Sequence, residues 1–276
     1  MIPGAFDYHR PATLAEATGL LAAHGDAARV LAGGHSLIPM MKLRMAAPEH
    51  LIDLAAIADL KGIALGADIR IGAMVTQAEL IAHDGLAAAC PLLREAALQI
   101  ADPQVRNVGT VGGNVANGDP GNDMPGLMQC LDARYALTGP GGSREVAARA
   151  FYISAYETAR ADDEILTAIL IPHPAPGTGY AYEKLKRKIG DYATAAAAVT
   201  VGKGTASIAM TNLADRPVWS QAAGAALAAG DVAGAVAAML ADIDPSADNR
   251  GPVEFKRHVA GVILKRAIER ARARAA

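Results

Sequence analysis

Apolar positions along the chain switch between a helical period and a strand period from one segment to the next. Leu14, Ala17, Leu20 and Leu21 follow the capping-box pattern Thr13-Leu14-Ala15-Glu16, which predicts a helix ending at Gly25. The apolar run 28–32 predicts a short strand, broken by Gly33-Gly34-His35-Ser36. Ser36 is a candidate cap for a helix over 37–43, whose Pro39 falls in the first turn. With a strand at 51–54, residues 1–54 form a small α/β unit. Segments 62–65 and 68–73 pattern as a hairpin around Gly66-Ala67, and Thr76-Gln77-Ala78-Glu79 is a second capping box. A helix over 91–101 leads into a long, polar, glycine-rich loop over 102–123, a length that usually serves function. Strands at 133–137 and 165–171 complete a unit of residues 55–177, ending in the linker-like Pro172-His173-Pro174-Ala175-Pro176-Gly177. Residues 178–276 read as three strands (180–188, 193–201, 205–212) followed by helices over 218–229, 232–241 and 252–274. The fold class is α+β in three pieces, without solenoid repeats.

Composition narrows this picture. Alanine supplies 63 of 276 residues and aromatics only 4%, so the core must consist of thin, closely packed layers. The apolar share of 52% against 20% charged residues marks a folded chain, and a net charge of −2 argues against a nucleic-acid coat. Two cysteines, Cys90 and Cys130, exclude a disulfide framework and an iron–sulfur cluster held by this chain alone, which needs about four ligands. No run approaches the ~20 apolar residues of a membrane span, and no basic-then-apolar leader opens the chain. A cytoplasmic location is expected.

Two glycine turns carry the candidate chemistry: Ala32-Gly33-Gly34-His35-Ser36 and Thr110-Val111-Gly112-Gly113-Asn114. Paired glycines let successive amides converge on an anion and let a phosphate approach closely. The first turn also feeds a helix start, where free amides favour negative charge. Tight strand-to-helix turns are the plainer alternative. Neither turn has the G-x-G-x-x-G or Gly-Lys-Ser/Thr pattern of the common nucleotide folds. Asp123 could accept hydrogen bonds from ribose or ribityl hydroxyls, or cap the helix starting near Met124. The basic run Lys184-Leu185-Lys186-Arg187-Lys188 could neutralise phosphates or defend an edge strand, and Tyr192 could cover a flat ring or simply pack. The basic face of the last helix reads as solvated, opposite a stripe of Phe255, Val259, Val262, Ile263 and Ile268. No catalytic or metal-ligating constellation occurs: there is no H-x-x-x-H, C-x-x-C or Gly-x-Ser-x-Gly.

These motifs, in this order, resemble the FAD-binding medium subunit of molybdenum hydroxylases, the xanthine dehydrogenase family, and in particular its carbon-monoxide-oxidising branch. The resemblance also rests on Gly109-Thr110-Val111, the Asp119–Asp123 loop and Glu183–Thr194, and covers nearly the whole chain. It implies a PCMH-type, vanillyl-alcohol-oxidase-like fold: two α/β subdomains holding FAD, then a domain with a three-stranded antiparallel sheet and helices. It further implies that both glycine turns wrap the pyrophosphate and that Asp123 contacts the flavin. Leu166 would lie near the ring, Lys184 (or Lys186) would meet FAD, and Tyr192 would cover the isoalloxazine. The partners implied are a large subunit with molybdenum cofactor and copper, and a small subunit with two [2Fe-2S] clusters. Together they form a heterotrimer, dimerised, that delivers electrons to a quinone from the cytoplasm or the inner membrane face. A medium subunit serving an N-heterocycle or aldehyde hydroxylase, or a non-catalytic nucleotide-binding assembly protein, is the alternative. The hairpin at 201–205 is shorter than usual for the family.

Overall fold

The computed structural model describes residues 2–276; Met1, the first residue of the expected N-terminal unit, lies outside them. The chain opens with β1 (Asp7–His9), α1 (Leu14–His24), β2 (Ala28–Leu31), α2 (Leu37–Lys42) and β3 (His50–Asp53). The three strands form a parallel sheet in the order β1-β3-β2. Thr13 caps α1 by accepting from the Glu16 amide at 3.2 Å, while Glu16 reaches back to Ala12 instead of closing the box on Thr13. β1, with only three residues and an exposed pattern, escapes any periodicity argument. Ala17, Leu21, Ile52 and Leu54 form the core here, with Leu60 and Ile165 added from the next unit.

The middle unit contains β4 (Ile63–Leu65), β5 (Asp68–Gly72), α3 (Gln77–Ala82), α4 (Asp84–Ala89), α5 (Pro91–Ala97), α6 (Pro103–Val108), α7 (Val111–Ala116) and α8 (Asp123–Cys130). It continues through β6 (Arg134–Gly139), β7 (Gly142–Ala147), α9 (Ala148–Phe151), β8 (Tyr152–Ser154), β9 (Glu157–Thr158) and β10 (Ile165–Pro172). Its main sheet runs β4-β5-β10-β6-β7 with antiparallel neighbours. The hairpin at Gly66-Ala67 and the capping box at Thr76–Glu79 both form, the latter with both reciprocal bonds. The expected long loop is in fact largely helical. Asp102 caps α6 and Thr110 caps α7, each accepting from the amide three residues on. Paired glycines, poor helix formers by propensity, disguise the start of α7 in the sequence.

The last unit holds β11 (Gly179–Leu185), β12 (Ala195–Gly202), β13 (Thr205–Thr211), β14 (Val218–Trp219), α10 (Gln221–Ala228), α11 (Val232–Asp242) and α12 (Val253–Arg274). Three long antiparallel strands carry a fourth of two residues where a helix start was expected. Central strand β12 is alanine on both faces. Ala195 and Ala197 join the core under α10–α12, and Ala196 and Ala198 join the core of the middle unit. Small side chains thus let one sheet cement two layers at close range. β11 stops at Leu185, earlier than the basic run suggested. The basic face of α12 is also not simply solvated. Arg270 and Arg274 bind Glu95 of α5 at 3.0 and 2.7 Å, and Lys256 is buried against Asp248 at 2.9 Å. Phe255, placed on the apolar stripe by its spacing, is exposed. No helix among the described residues is long and apolar enough to cross a membrane.

Candidate functional site

A cleft of about 620 Å³ opens where the three units meet, inside the range of roughly 300–1,000 Å³ typical of ligand sites. The turn after β2 forms one wall, with Ala32, Gly33, Gly34, His35 and Ser36 all lining it. Among the described residues, the amides of Gly33, Gly34, His35 and Ser36 find no acceptor in the chain. Gly34 holds φ +71°, a conformation open to glycine and costly for other residues. Ser36 makes no capping bond to α2, contrary to expectation, which leaves its hydroxyl free beside these amides. Four unpartnered donors in succession suit an anion such as a phosphate.

The second glycine turn meets the first but works differently. A Cβ on Gly33 would collide with the Val108 carbonyl, and one on Gly113 would stand 3.3 Å from Ala32 Cβ, so the two turns are in contact through their small residues. Thr110, Gly112, Gly113 and Asn114 line the cleft, whereas Val111 is fully buried in the core. The amides of this turn are already engaged. Val111 donates to Val75 at 2.8 Å, Gly112 to Ala73 at 2.9 Å, Gly113 to the Thr110 hydroxyl at 3.0 Å and Asn114 to the Thr110 carbonyl at 3.1 Å. The expected second nest is therefore the first turn of α7, and it offers a close backbone surface without free amides.

Asp123, Leu166, Lys184 and Tyr192 line the far part of the cleft, and Lys186 does not. Asp123 opens α8 but does not cap it. Its carboxylate accepts from Tyr182 Oη at 2.5 Å and from Lys184 Nζ at 2.7 Å. The Lys184 and Asp123 side chains are 1% and 5% exposed, so this ion pair, which links β11 to α8, is out of water. Burial beside Asp123 pushes the Tyr182 hydroxyl far above its ordinary value, which keeps it a donor. Lys186 donates to the Gln99 carbonyl at 3.0 Å; burial, and then the neighbouring Lys184, depress its affinity for a proton. Tyr192 is half-exposed, its ring packed on Gly121 and its hydroxyl donating to Asp119 Oδ2 at 3.1 Å. Arg187 turns back to Asp191 at 2.8 Å, so the basic run is largely spent on internal contacts.

Gln77 belongs to the site without any signal in the sequence pattern. It lines the cleft at 2% exposure, and neither its Oε1 nor its Nε2 has a partner in the chain. Asn114 Oδ1, in the same wall, is likewise buried and unpaired. Orphaned polar atoms of this kind cost free energy in a native protein and call for a ligand. Position 77 sits within a capping box, where a polar residue has an ordinary explanation, and so raised no alarm.

A cleft with one anion-facing turn, unpaired amide side chains, a buried lysine and a half-exposed tyrosine is built to hold an extended, anionic, partly aromatic molecule. A family profile described as the FAD binding domain in molybdopterin dehydrogenase matches residues 4–174, and another described as the CO dehydrogenase flavoprotein C-terminal domain matches residues 180–271. The chain belongs to this family of FAD-binding subunits of molybdopterin dehydrogenases. Over its whole length it is 59% identical to the carbon monoxide dehydrogenase medium chain of Afipia carboxidovorans, covering 99% of that chain. It is 46% identical to the carbon monoxide dehydrogenase medium chain of Hydrogenophaga pseudoflava, with both chains covered in full. It superposes on a chain of reconstituted CO dehydrogenase from Oligotropha carboxidovorans with a TM-score of 0.97 at 58% identity, again over all of both chains.

Proposed function

We propose that this chain is the FAD-carrying electron-transfer subunit of a molybdenum hydroxylase that oxidises CO with water to CO2. The unpartnered amides of Gly33–Ser36, facing a cleft that also holds the orphaned Gln77 and Asn114 amides, carry this reading. These residues fit a flavin dinucleotide. The amide turn and the Ser36 hydroxyl would hold the pyrophosphate, and Gln77 and Asn114 would satisfy polar atoms along the chain of the cofactor. Leu166, Lys184 and Tyr192 would enclose the ring end. FAD supplies the ability to take electrons singly and release them in pairs.

The protein's own part is positioning and electrostatics. Asp123 and Tyr182 hold Lys184 in one place, so that its charge faces the cleft from a site without water to screen it. The Tyr192 ring, braced on Gly121 and tied to Asp119, shields one side from solvent. The substrate step, two electrons and two protons taken from CO and water, falls to a large subunit with molybdenum cofactor and copper. A small subunit with two [2Fe-2S] clusters relays the electrons here and a quinone receives them, in a dimerised heterotrimer in the cytoplasm or at the inner membrane face.

The test uses the purified chain under anaerobic conditions. It should carry one flavin per chain, bleach with dithionite, and stay oxidised under CO until the other two subunits are added. A colourless, well-folded chain that takes up no FAD would instead favour a nucleotide-binding assembly protein. Bleaching by CO without partners would overturn the division of labour.

A further inference from the structure

Outside the lining of the cleft, three imidazoles that are widely spaced in sequence come together. His9 ends β1, His24 ends α1 and His50 begins β3. Asp7 pairs with His50 across the parallel β1–β3 register, so Asp7, His9 and His50 project from one face of the sheet. α1 covers that face, since its Ala17 and Leu21 share a core with Ile52, and its last turn brings His24 over the same spot. One ligand atom from each histidine lies within 4.8 Å of the others, and all three side chains are half-buried.

The distances are those of a chelate along two of its three edges. His9 Nε2 and His50 Nδ1 stand 3.2 Å apart, close to the roughly 3.3 Å separating two nitrogens bound at ~2.0–2.1 Å to a tetrahedral ion. The His9 ring lies 5.3 Å from that of His50 and 5.5 Å from that of His24. His24 stacks on His50 at 3.7 Å, so binding an ion requires its ring to turn out of the stack at the end of α1. Asp7 Oδ2, 3.7 Å from the same His50 Nδ1, stands where it can supply a fourth ligand. Imidazole-rich sets with an accessible carboxylate favour zinc and its first-row neighbours over calcium or magnesium.

We propose that His9, His24 and His50, with Asp7 beside them, form a binding site for a divalent first-row transition ion, Zn²⁺ first. It would staple the short edge strand β1 to the helix and strand behind it. None of the three histidines lines the cleft, although its lining reaches Gly25 and Ala28 next to them, and the Gly33 turn leaves the opposite, C-terminal end of β2. Five residues at ~3.3 Å each put roughly 16 Å of strand between Ala28 and Gly33. Metal binding and flavin binding are therefore separable, and the proposal does not rest on the functional reading above.

The test is a Co²⁺ titration of the untagged, full-length, metal-stripped chain. One equivalent should raise the visible bands of tetrahedral cobalt, Zn²⁺ should displace it, and either ion should raise the melting temperature. His9→Gln, His24→Gln and His50→Gln should each weaken binding by at least about tenfold while flavin content, which reports the fold, stays at the wild-type ratio. His258→Gln, at an exposed position, should change nothing. If His50→Gln fails to fold, His24→Gln at the helix end decides. Absence of tetrahedral bands in the wild type, binding that survives these substitutions, or dependence on only two of the three histidines would each overturn the proposal.

Discussion

Replacing Gly112 with alanine should unfold this protein more readily rather than merely empty its cleft. Gly112 does not occupy a left-handed conformation; it is glycine because α7 lies against the segment after β5. A Cβ there would stand 2.5 Å from Ala73 Cβ and 2.6 Å from both Ala73 Cα and its carbonyl oxygen. Ordinary carbon contacts fall at about 3.5–4.0 Å, so the helix must move by roughly 1 Å. That movement strains two buried bonds, Gly112 N–H to Ala73 at 2.9 Å and Val111 N–H to Val75 at 2.8 Å. Overpacking costs about 1–3 kcal/mol, and a buried amide left unpaired about 1–3 more, for a total of roughly 2–6 kcal/mol. Urea unfolding of the flavin-free chain should show a much lower midpoint at unchanged slope. Gly34→Ala is the control. Its φ of +71° costs an alanine about 1–2 kcal/mol, and its nearest neighbours are the yielding side chains of Ile38 and Leu31 at 3.0 and 3.3 Å. It should stay folded and lose flavin. A Gly112→Ala chain that melts at the wild-type midpoint yet lacks flavin would refute the reasoning and restore the second turn as a direct ligand cradle.

Ser36→Ala should leave stability within about 0.5 kcal/mol, because the hydroxyl caps nothing, while weakening flavin binding by roughly 1–2 kcal/mol in an equilibrium titration. Lys184→Met strands a buried carboxylate and should cost about 3–5 kcal/mol in chemical unfolding, whereas Lys186→Met, which leaves the pair intact, should cost much less. Bidentate bonding from Arg144, at 2.6 and 2.7 Å, holds the Glu164 carboxyl below its ordinary value of 4.5. Its stabilising effect is therefore complete above that value and fades as pH falls through the depressed folded-state value. The stability gap between wild type and Arg144→Met should narrow on acidification, and a gap constant with pH would contradict it. Burial pushes the Cys90 and Cys130 thiols up to about 12 and about 11, so at pH 8 the native chain should react with a thiol reagent only on unfolding.

Much of the fold was legible because it rests on local rules. The helix starts at Thr13 and Thr76, the hairpin at Gly66-Ala67 and the long last helix each follow from caps, turn residues and period within a dozen positions. What escaped were elements whose stability comes from neighbours. β1, β7 and β14 are short or exposed strands that exist because a partner strand offers a ladder. The loop over 102–123 coils into α6 and α7 under caps that glycine-rich spacing disguised.

By itself the sequence determined that this is an alanine-rich α+β chain with two glycine turns, a basic segment and too few cysteines for a cluster. It also brought Gly33, Gly34, Asp123, Lys184 and Tyr192 forward as candidates, since those residue types carry their chemistry wherever they are placed. Only the tertiary structure decided how each is used. Hydrogen bonds within the middle unit, to Ala73, Val75 and Thr110, consume the amides of the second turn, and those of the first are spared. The assembled units bury Lys184 against Asp123 and leave Lys186 outside the lining of the cleft. Gln77 is orphaned by its surroundings alone, and three histidines from two strands and a helix meet only because a parallel sheet and its covering helix bring their ends together. Charge and conformational preference are properties of single residues, but burial, pairing and availability belong to the whole arrangement, which no local pattern encodes.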